Sequence, residues 1–152
     1  MPLFSRAVFA SVSWIERRRR RQASREGSGQ AKTLITGQAG ESLAYWFLRR
    51  EGYVVVARNL RLRPGAGELD LVAWDRATLA FVEVKTRTSD AAGPPEMAVS
   101  ENQKIRIARA AAIYMRRLKR KAINYRFDVV SVAWNSREGY QLKLIKNAFT
   151  VW

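Results

Sequence analysis

Apolar and polar positions alternate with two different periods along residues 36–149. Over 36–51 the apolar residues recur at helical spacing, and Gly40, Leu43, Ala44, Phe47 and Leu48 share one face. Thr36 stands where an N-cap belongs, and Gly52 where a C-terminal glycine belongs. Glu41 lies about 90° from the centre of the apolar face, at the edge of a core where it can look into a cleft. YVVVARNL (53–60) is β-branched and predicts a strand, and RLRPGAG (61–67) predicts a turn. GELDLVAWDRATLAFVEVKTR (67–87) predicts two strands around a short turn. TSDAAGPPEMAVS (88–100) predicts a loop, interrupted by Pro94 and Pro95.

A second helix follows at about 101–120, opened by a capping box of Ser100 and Gln103. Its apolar stripe is Ile105, Ala108, Ala111, Ala112, Met115 and Leu118. NYRFDVVSVAW (124–134) and GYQLKLIKNAF (139–149) predict two closing strands around an NSREG turn. The order α-β-β-β-α-β-β predicts a single α/β domain, with helices flanking a mixed central sheet of about five strands. QASREGSGQAKT (22–33) reads as a flexible linker, dividing a basic arm and linker at 1–32 from a domain at 33–152.

The central hairpin breaks the apolar pattern in a particular way. Glu68 and Asp70 share a face of the first strand, and Glu83, Lys85 and Arg87 share a face of the second. A two-residue turn at Arg76-Ala77 would set Asp70 opposite Glu83 and Glu68 opposite Lys85. An odd loop would shift that register. Like charges opposed in a sheet are destabilising, and burial raises the cost. Lys85 can offset it as an internal ion pair, or an oxygen-liganded divalent cation can, and the donor set suits Mg²⁺. A purely structural salt-bridge cluster is the alternative.

Composition narrows the chemistry further. The 152 residues carry 28 Lys plus Arg against 13 Asp plus Glu, a net charge of +15 that favours an anionic partner, nucleic acid before an anionic membrane surface. Residues 1–21 hold +5 of this, so the rest of the chain is basic too. Cys and His are absent, which excludes disulfides, thiol nucleophiles and imidazole acid–base catalysis. Hydrolysis would have to run on carboxylates, Lys, Tyr or a hard metal ion. The missing cysteines are compatible with a reducing cytoplasm, the expected location. No apolar run is long enough to cross a membrane, so no stable insertion is expected. Within 1–21, Leu3, Phe4, Val8, Val12 and Ile15 allow a short amphipathic helix, beside a solvated basic run at Arg17–Arg21.

Glu83-Val84-Lys85, with an acid on the adjacent strand, resembles the PD-(D/E)xK signature of restriction-endonuclease-like nucleases. GQAGESLAYWFLRREGYVVVARNLRLRPGAGELDLVAWD, LAFVEVKTR, the Lys104 helix, RFDVV and a terminal NAF resemble the bacterial YraN family over about 37–149. YraN proteins in turn resemble archaeal Holliday-junction resolvases. The resemblance implies a restriction-endonuclease-like fold. It also implies Asp70 and Glu83 as metal ligands, with the Val84 carbonyl as a further one and Lys85 as the catalytic lysine. Glu41 matches an acid that many members turn toward the metal. Leu69 stands where the signature has proline. Glu68 belongs to the family's GE-x-D pattern, as an additional candidate. Lys104 would face phosphates, with Arg87, Arg116, Arg117 and Lys119 as further nucleic-acid contacts.

The expected activity is Mg²⁺-dependent endonucleolytic hydrolysis of DNA phosphodiesters, in branched or structured DNA by analogy with the resolvases. Mn²⁺ is the natural substitute ion. DNA is favoured over RNA, and the resolvase analogy raises a homodimer. The alternative is a nucleic-acid-binding protein that keeps the nuclease fold with little or no catalysis. Asp128 also lies in a family motif, and accepting backbone hydrogen bonds is role enough for it.

Overall fold

The computed structural model describes residues 29–87, 98–118, 123–135 and 139–151. The expected arm at 1–21, residues 22–28 of the expected linker, residues 88–97 of the expected 88–100 loop, Lys119, and 136–138 of the closing turn lie outside the described residues. Helix α1 spans Gly29–Arg50. Three strands follow: β1 (Val54–Arg61), β2 (Glu68–Asp75) and β3 (Thr78–Arg87). Helix α2 spans Glu101–Arg117, and β4 (Asn124–Asn135) and β5 (Gly139–Phe149) complete the chain. The strands form one mixed sheet in the order β1-β2-β3-β4-β5. Only the β3–β4 pair is parallel, because only that connection passes through a helix.

Each helix covers one face of the sheet. Leu71, Ala73, Ala80, Val82, Val130 and Val132 face α1 through Leu43, Ala44, Phe47 and Leu48. Val72, Leu79, Phe81, Phe127 and Val129 face α2 through Ile107, Ala110 and Ala111. Neighbours such as Leu71 and Val72 therefore enter separate cores, as strand alternation requires. The middle of the sheet reads as a continuous apolar run because both faces are covered.

The end of α1 behaves as its sequence predicts. Gly52 has φ +91°, its N–H donates to the Arg49 carbonyl, and the Tyr53 N–H donates to the Leu48 carbonyl. This paired closure is the Schellman arrangement, and buried Tyr53 and Leu48 share the α1-side core. The start differs. The helix begins at Gly29, within the expected linker, so Thr36 sits in its interior and cannot cap it. Gln, Ala, Lys and Leu between 30 and 34 are good helix formers, and nothing there stops the helix from extending.

Helix α2 has the expected capping box: the Gln103 N–H donates to Ser100 Oγ at 3.3 Å, and the Ser100 N–H donates to Gln103 Oε1 at 3.4 Å. Its buried face is rotated from the expected stripe. Ile107, Ala110 and Ala111 are buried, whereas Ile105 is 41% exposed and Ala112 half-buried. Apolar residues surround this helix from 105 to 115, so periodicity alone fits more than one face. The close approach of Gly67 to the helix fixes the rotation. A Cβ on Gly67 would lie 2.9 Å from the Arg106 carbonyl oxygen, and the residue has φ +93°.

Candidate active site

The hairpin register is the even one. Leu71 pairs with Val82, Val72 with Phe81 and Asp75 with Thr78 around the Arg76-Ala77 turn. Continuing the ladder by one residue sets Asp70 opposite Glu83. There the Asp70 side chain replaces the ladder, since the Val84 N–H donates to Asp70 Oδ2 at 2.8 Å. That bond uses the Val84 amide.

Burial of Asp70, then the Glu83 carboxylate, push the Asp70 pKa up to about 7 from its ordinary 3.8. The Val84 amide works against the shift, Glu41 adds to it, and Lys85 lowers it more weakly. Lys85 is committed elsewhere: its Nζ lies 3.0 Å from Glu83 Oε1, and both side chains are largely buried. Lys85 therefore compensates the charge of Asp70 only weakly.

Gln103 completes the cluster, a role the sequence reading reserved for helix capping. Lys85 Nζ donates to Gln103 Oε1 at 3.1 Å, and Gln103 Nε2 donates to Glu83 Oε1 at 3.5 Å. The capping box holds this side chain at the first turn of α2, so the helix start positions a lysine and an acid on β3. A glutamine in a capping box is a weak signal by itself, because the cap already explains it. A small cleft of about 180 Å³ opens here, lined by Gly67, Glu68, Glu83, Gln103, Arg106 and Ile107.

The other expected residues divide. Glu41 approaches from α1, near enough to raise Asp70, but its Oε2 accepts a 2.6 Å hydrogen bond from Asn59 Nδ2. Glu68 pairs with Arg61 at 2.8 Å, not with Lys85. Among the described residues no three acids gather into a ready-made metal cluster, so the acid core is the pair Asp70 and Glu83. Lys104 is 2.6 Å from Glu101 and lies over the Phe149 ring, while Arg117 donates to the Leu62 carbonyl at 3.1 Å. Arg87 ends β3 half-buried, and Arg116 is exposed on α2.

A second ionic network sits toward the other end of the sheet. Asp128 is fully buried and accepts from the Asn147 N–H at 2.8 Å and from Arg126 Nε at 2.9 Å. Arg126 also reaches Asp75 and the Tyr53 hydroxyl, and Lys146 lies 2.8 Å from Asp75. Asp128 thus closes the core by accepting backbone and guanidinium hydrogen bonds, and it stands apart from the acid pair.

Among the described residues no helix is long and apolar enough to cross a membrane. Sequence comparison adds lineage. The sequence model of the uncharacterised protein family UPF0102 matches residues 40–132. A UPF0102 protein of Solibacter usitatus is 52% identical over 96 residues, 63% of this chain and 73% of the relative. A UPF0102 protein of Syntrophus aciditrophicus is 40% identical over 118 residues, 78% of this chain and 91% of the relative. One of Symbiobacterium thermophilum is 44% identical over 113 residues, 74% of this chain and 94% of the relative. The matched span holds α1 from Gly40, both acids, Lys85, Gln103 and β4 as far as Val132, and the chain belongs to UPF0102, the YraN family that its motifs resemble.

Proposed function

We propose that the protein is a divalent-metal-dependent nuclease that hydrolyses phosphodiester bonds in DNA. The observation that carries this reading is the convergence of Asp70, Glu83 and Lys85, with Asp70 half-buried beside a second acid and short of positive charge. The donor set is oxygen only, and the deficit at Asp70 is one that a hard divalent cation fills. Asp70 and Glu83 would hold that ion, and Mg²⁺ so placed supplies Lewis-acid polarisation of a phosphoryl oxygen and of a water.

The chain's own groups supply the rest. Lys85 carries a fixed positive charge where negative charge develops on phosphoryl oxygens, and Gln103 holds its Nζ in place. Val84 fixes the orientation of the Asp70 carboxylate through its N–H. The exposed arginines of α2 hold phosphates without reading bases. Branched DNA is the preferred substrate class, on the likeness of YraN proteins to junction resolvases.

One observation favours a second reading, nucleic-acid binding without hydrolysis. Lys85 already neutralises Glu83, so this half of the cluster is satisfied without any ion. The deciding experiment incubates the purified protein with single-stranded, duplex and four-way-junction DNA in Mg²⁺, Mn²⁺ or EDTA. Cleavage that needs metal and disappears in Asp70→Asn supports the hydrolase. Binding without cleavage under every condition supports the second reading.

A further inference from the structure

A second cleft, of about 550 Å³, lies between the β1–β2 loop and the outer face of α2. Arg63, Arg109 and Arg116 line it, with Pro64, Gly65 and Ile113 between them. It adjoins the smaller cleft at Glu83: the loop continues from Gly65 to Gly67, and the helix face continues from Arg109 back through Arg106 to Gln103. Gln103, Arg106, Arg109, Ile113 and Arg116 follow steps of three or four residues, the spacing of one helix face.

The groove is held open by the backbone. Gly65 and Gly67 take φ of +75° and +93°, and Gly67 packs directly against the Arg106 carbonyl. Arg117 ties the Leu62 carbonyl to the end of α2. Among the described residues Arg63, Arg106, Arg109 and Arg116 are exposed and have no carboxylate at ion-pair distance. The basic residues of the other clusters are paired: Arg61 with Glu68, Lys104 with Glu101, and Arg126 and Lys146 with Asp75. Four like charges along one groove, three of them in the larger cleft that no acid lines, raise the local affinity for an extended polyanion.

We propose that this groove carries one strand of the nucleic acid away from the acid pair. The direction of the strand rests on the reading of Asp70 and Glu83 as the hydrolytic site; the groove itself does not. From Gln103 to Arg116 the helix rises about 20 Å at 1.5 Å per residue. At about 3.4 Å of duplex axis per phosphate of one strand, that length spans at most about six nucleotides, and fewer where the strand itself follows the groove. A single mononucleotide would engage only part of it. The apolar floor of Ala112 and Ile113 can meet sugars, while the guanidinium groups meet phosphates.

The test measures binding alone, in EDTA, with fluorescent single-stranded and duplex DNA and an RNA arm of the same sequence. Affinity is followed against salt for wild type, for the triple variant Arg63→Ala/Arg109→Ala/Arg116→Ala, and for Arg76→Gly, which removes a positive charge from the turn at the far end of β2. The triple variant should lower the slope of log affinity against log salt by about 2–3, since each phosphate contact contributes about 0.7–0.9. Arg76→Gly should leave the slope unchanged. Shortening the DNA from about eight to about four nucleotides should weaken wild type at least tenfold and the triple variant less than threefold. Melting temperatures of all three proteins should agree within about 2 °C, as exposed side chains predict. Equal slopes in wild type and the triple variant, or a slope loss as large per charge in Arg76→Gly, would overturn the groove in favour of a diffuse basic field. Groove-dependent binding without metal-dependent cleavage would retain the track and remove the hydrolase; cleavage with equal slopes would do the reverse.

Discussion

Gly40 lies against Thr86 so closely that a Cβ on the glycine would collide with the threonine hydroxyl and lie 3.3 Å from its Cβ. This contact joins α1 to β3 one residue from Glu41 and one from Lys85. It fixes how deeply the first helix settles on the sheet at the end that carries the acid pair.

Gly40→Ala should therefore destabilise the protein. In an open helix the change gains about 1 kcal/mol. Overpacking against a sheet costs about 1–3 kcal/mol, and here the obstacle is a side chain rooted in a central strand. A net loss of up to about 2 kcal/mol is expected, read as a lowered urea midpoint at unchanged m. Thr86→Ala should recover most of it in the double variant, because the hydroxyl is the closest atom. A neutral or stabilising Gly40→Ala would mean that the helix can lift without cost.

Asp70→Asn should raise the stability of the metal-free protein at neutral pH. The folded-state pKa, about 7, exceeds the ordinary 3.8, so the folded protein holds the proton more tightly than the unfolded chain. Stability is then greatest below about 4 as far as this group is concerned, and falls as pH rises through about 7. Thermal melts from pH 5 to 8 should show that decline in wild type and a flatter profile in Asp70→Asn. Added Mg²⁺ or Mn²⁺ should raise the wild-type Tm and leave the variant unchanged. Equal metal responses in the two proteins would remove Asp70 from the ion site.

Ser100→Ala and Gln103→Ala separate capping from positioning. Each removes part of the capping box and should cost about 0.5–1 kcal/mol of stability. Only Gln103→Ala also frees Lys85 from its hydrogen bond. It should reduce the cleavage rate at least tenfold at saturating DNA, whereas Ser100→Ala keeps the rate. Equal rates for both variants would confine Gln103 to capping.

Asp75 behaves oppositely to Asp70. Hydrogen bonds from Lys146 and then Arg126 hold its pKa down at about 2. Its contribution is present above the unfolded value near 3.8 and is lost as pH falls toward about 2. Lys146 is 53% exposed, so solvent screening reduces the gain to about 1 kcal/mol. Asp75→Asn should lower the unfolding free energy from urea titration by about 1 kcal/mol at pH 7, and the difference from wild type should shrink below pH 4. DNA binding at the opposite end should not change. A difference constant with pH would assign the loss to packing instead of charge.

The sequence by itself determined the order of the elements, because each signal was local. Gly52 ends α1 through backbone conformation, and Ser100 and Gln103 start α2 through a reciprocal cap, whereas the hairpin register, which sequence left open between an even and an odd loop, is the even one. The family motifs likewise singled out Asp70, Glu83 and Lys85, three residues within one hairpin. The tertiary structure decided what depends on distant neighbours. Local pattern placed Ile105 in the core, yet the seat of Gly67 on Arg106 turns Ile107 inward instead. Pairing of Glu68 with Lys85 was equally open to a hairpin reading, but Arg61 on the adjoining strand takes Glu68. Gln103 joined the acid cluster because the first turn of α2 meets Lys85 on β3, a juxtaposition created by the helical connection between the parallel strands β3 and β4. Side-chain period reports which residues share a face; only packing between elements determines what that face meets.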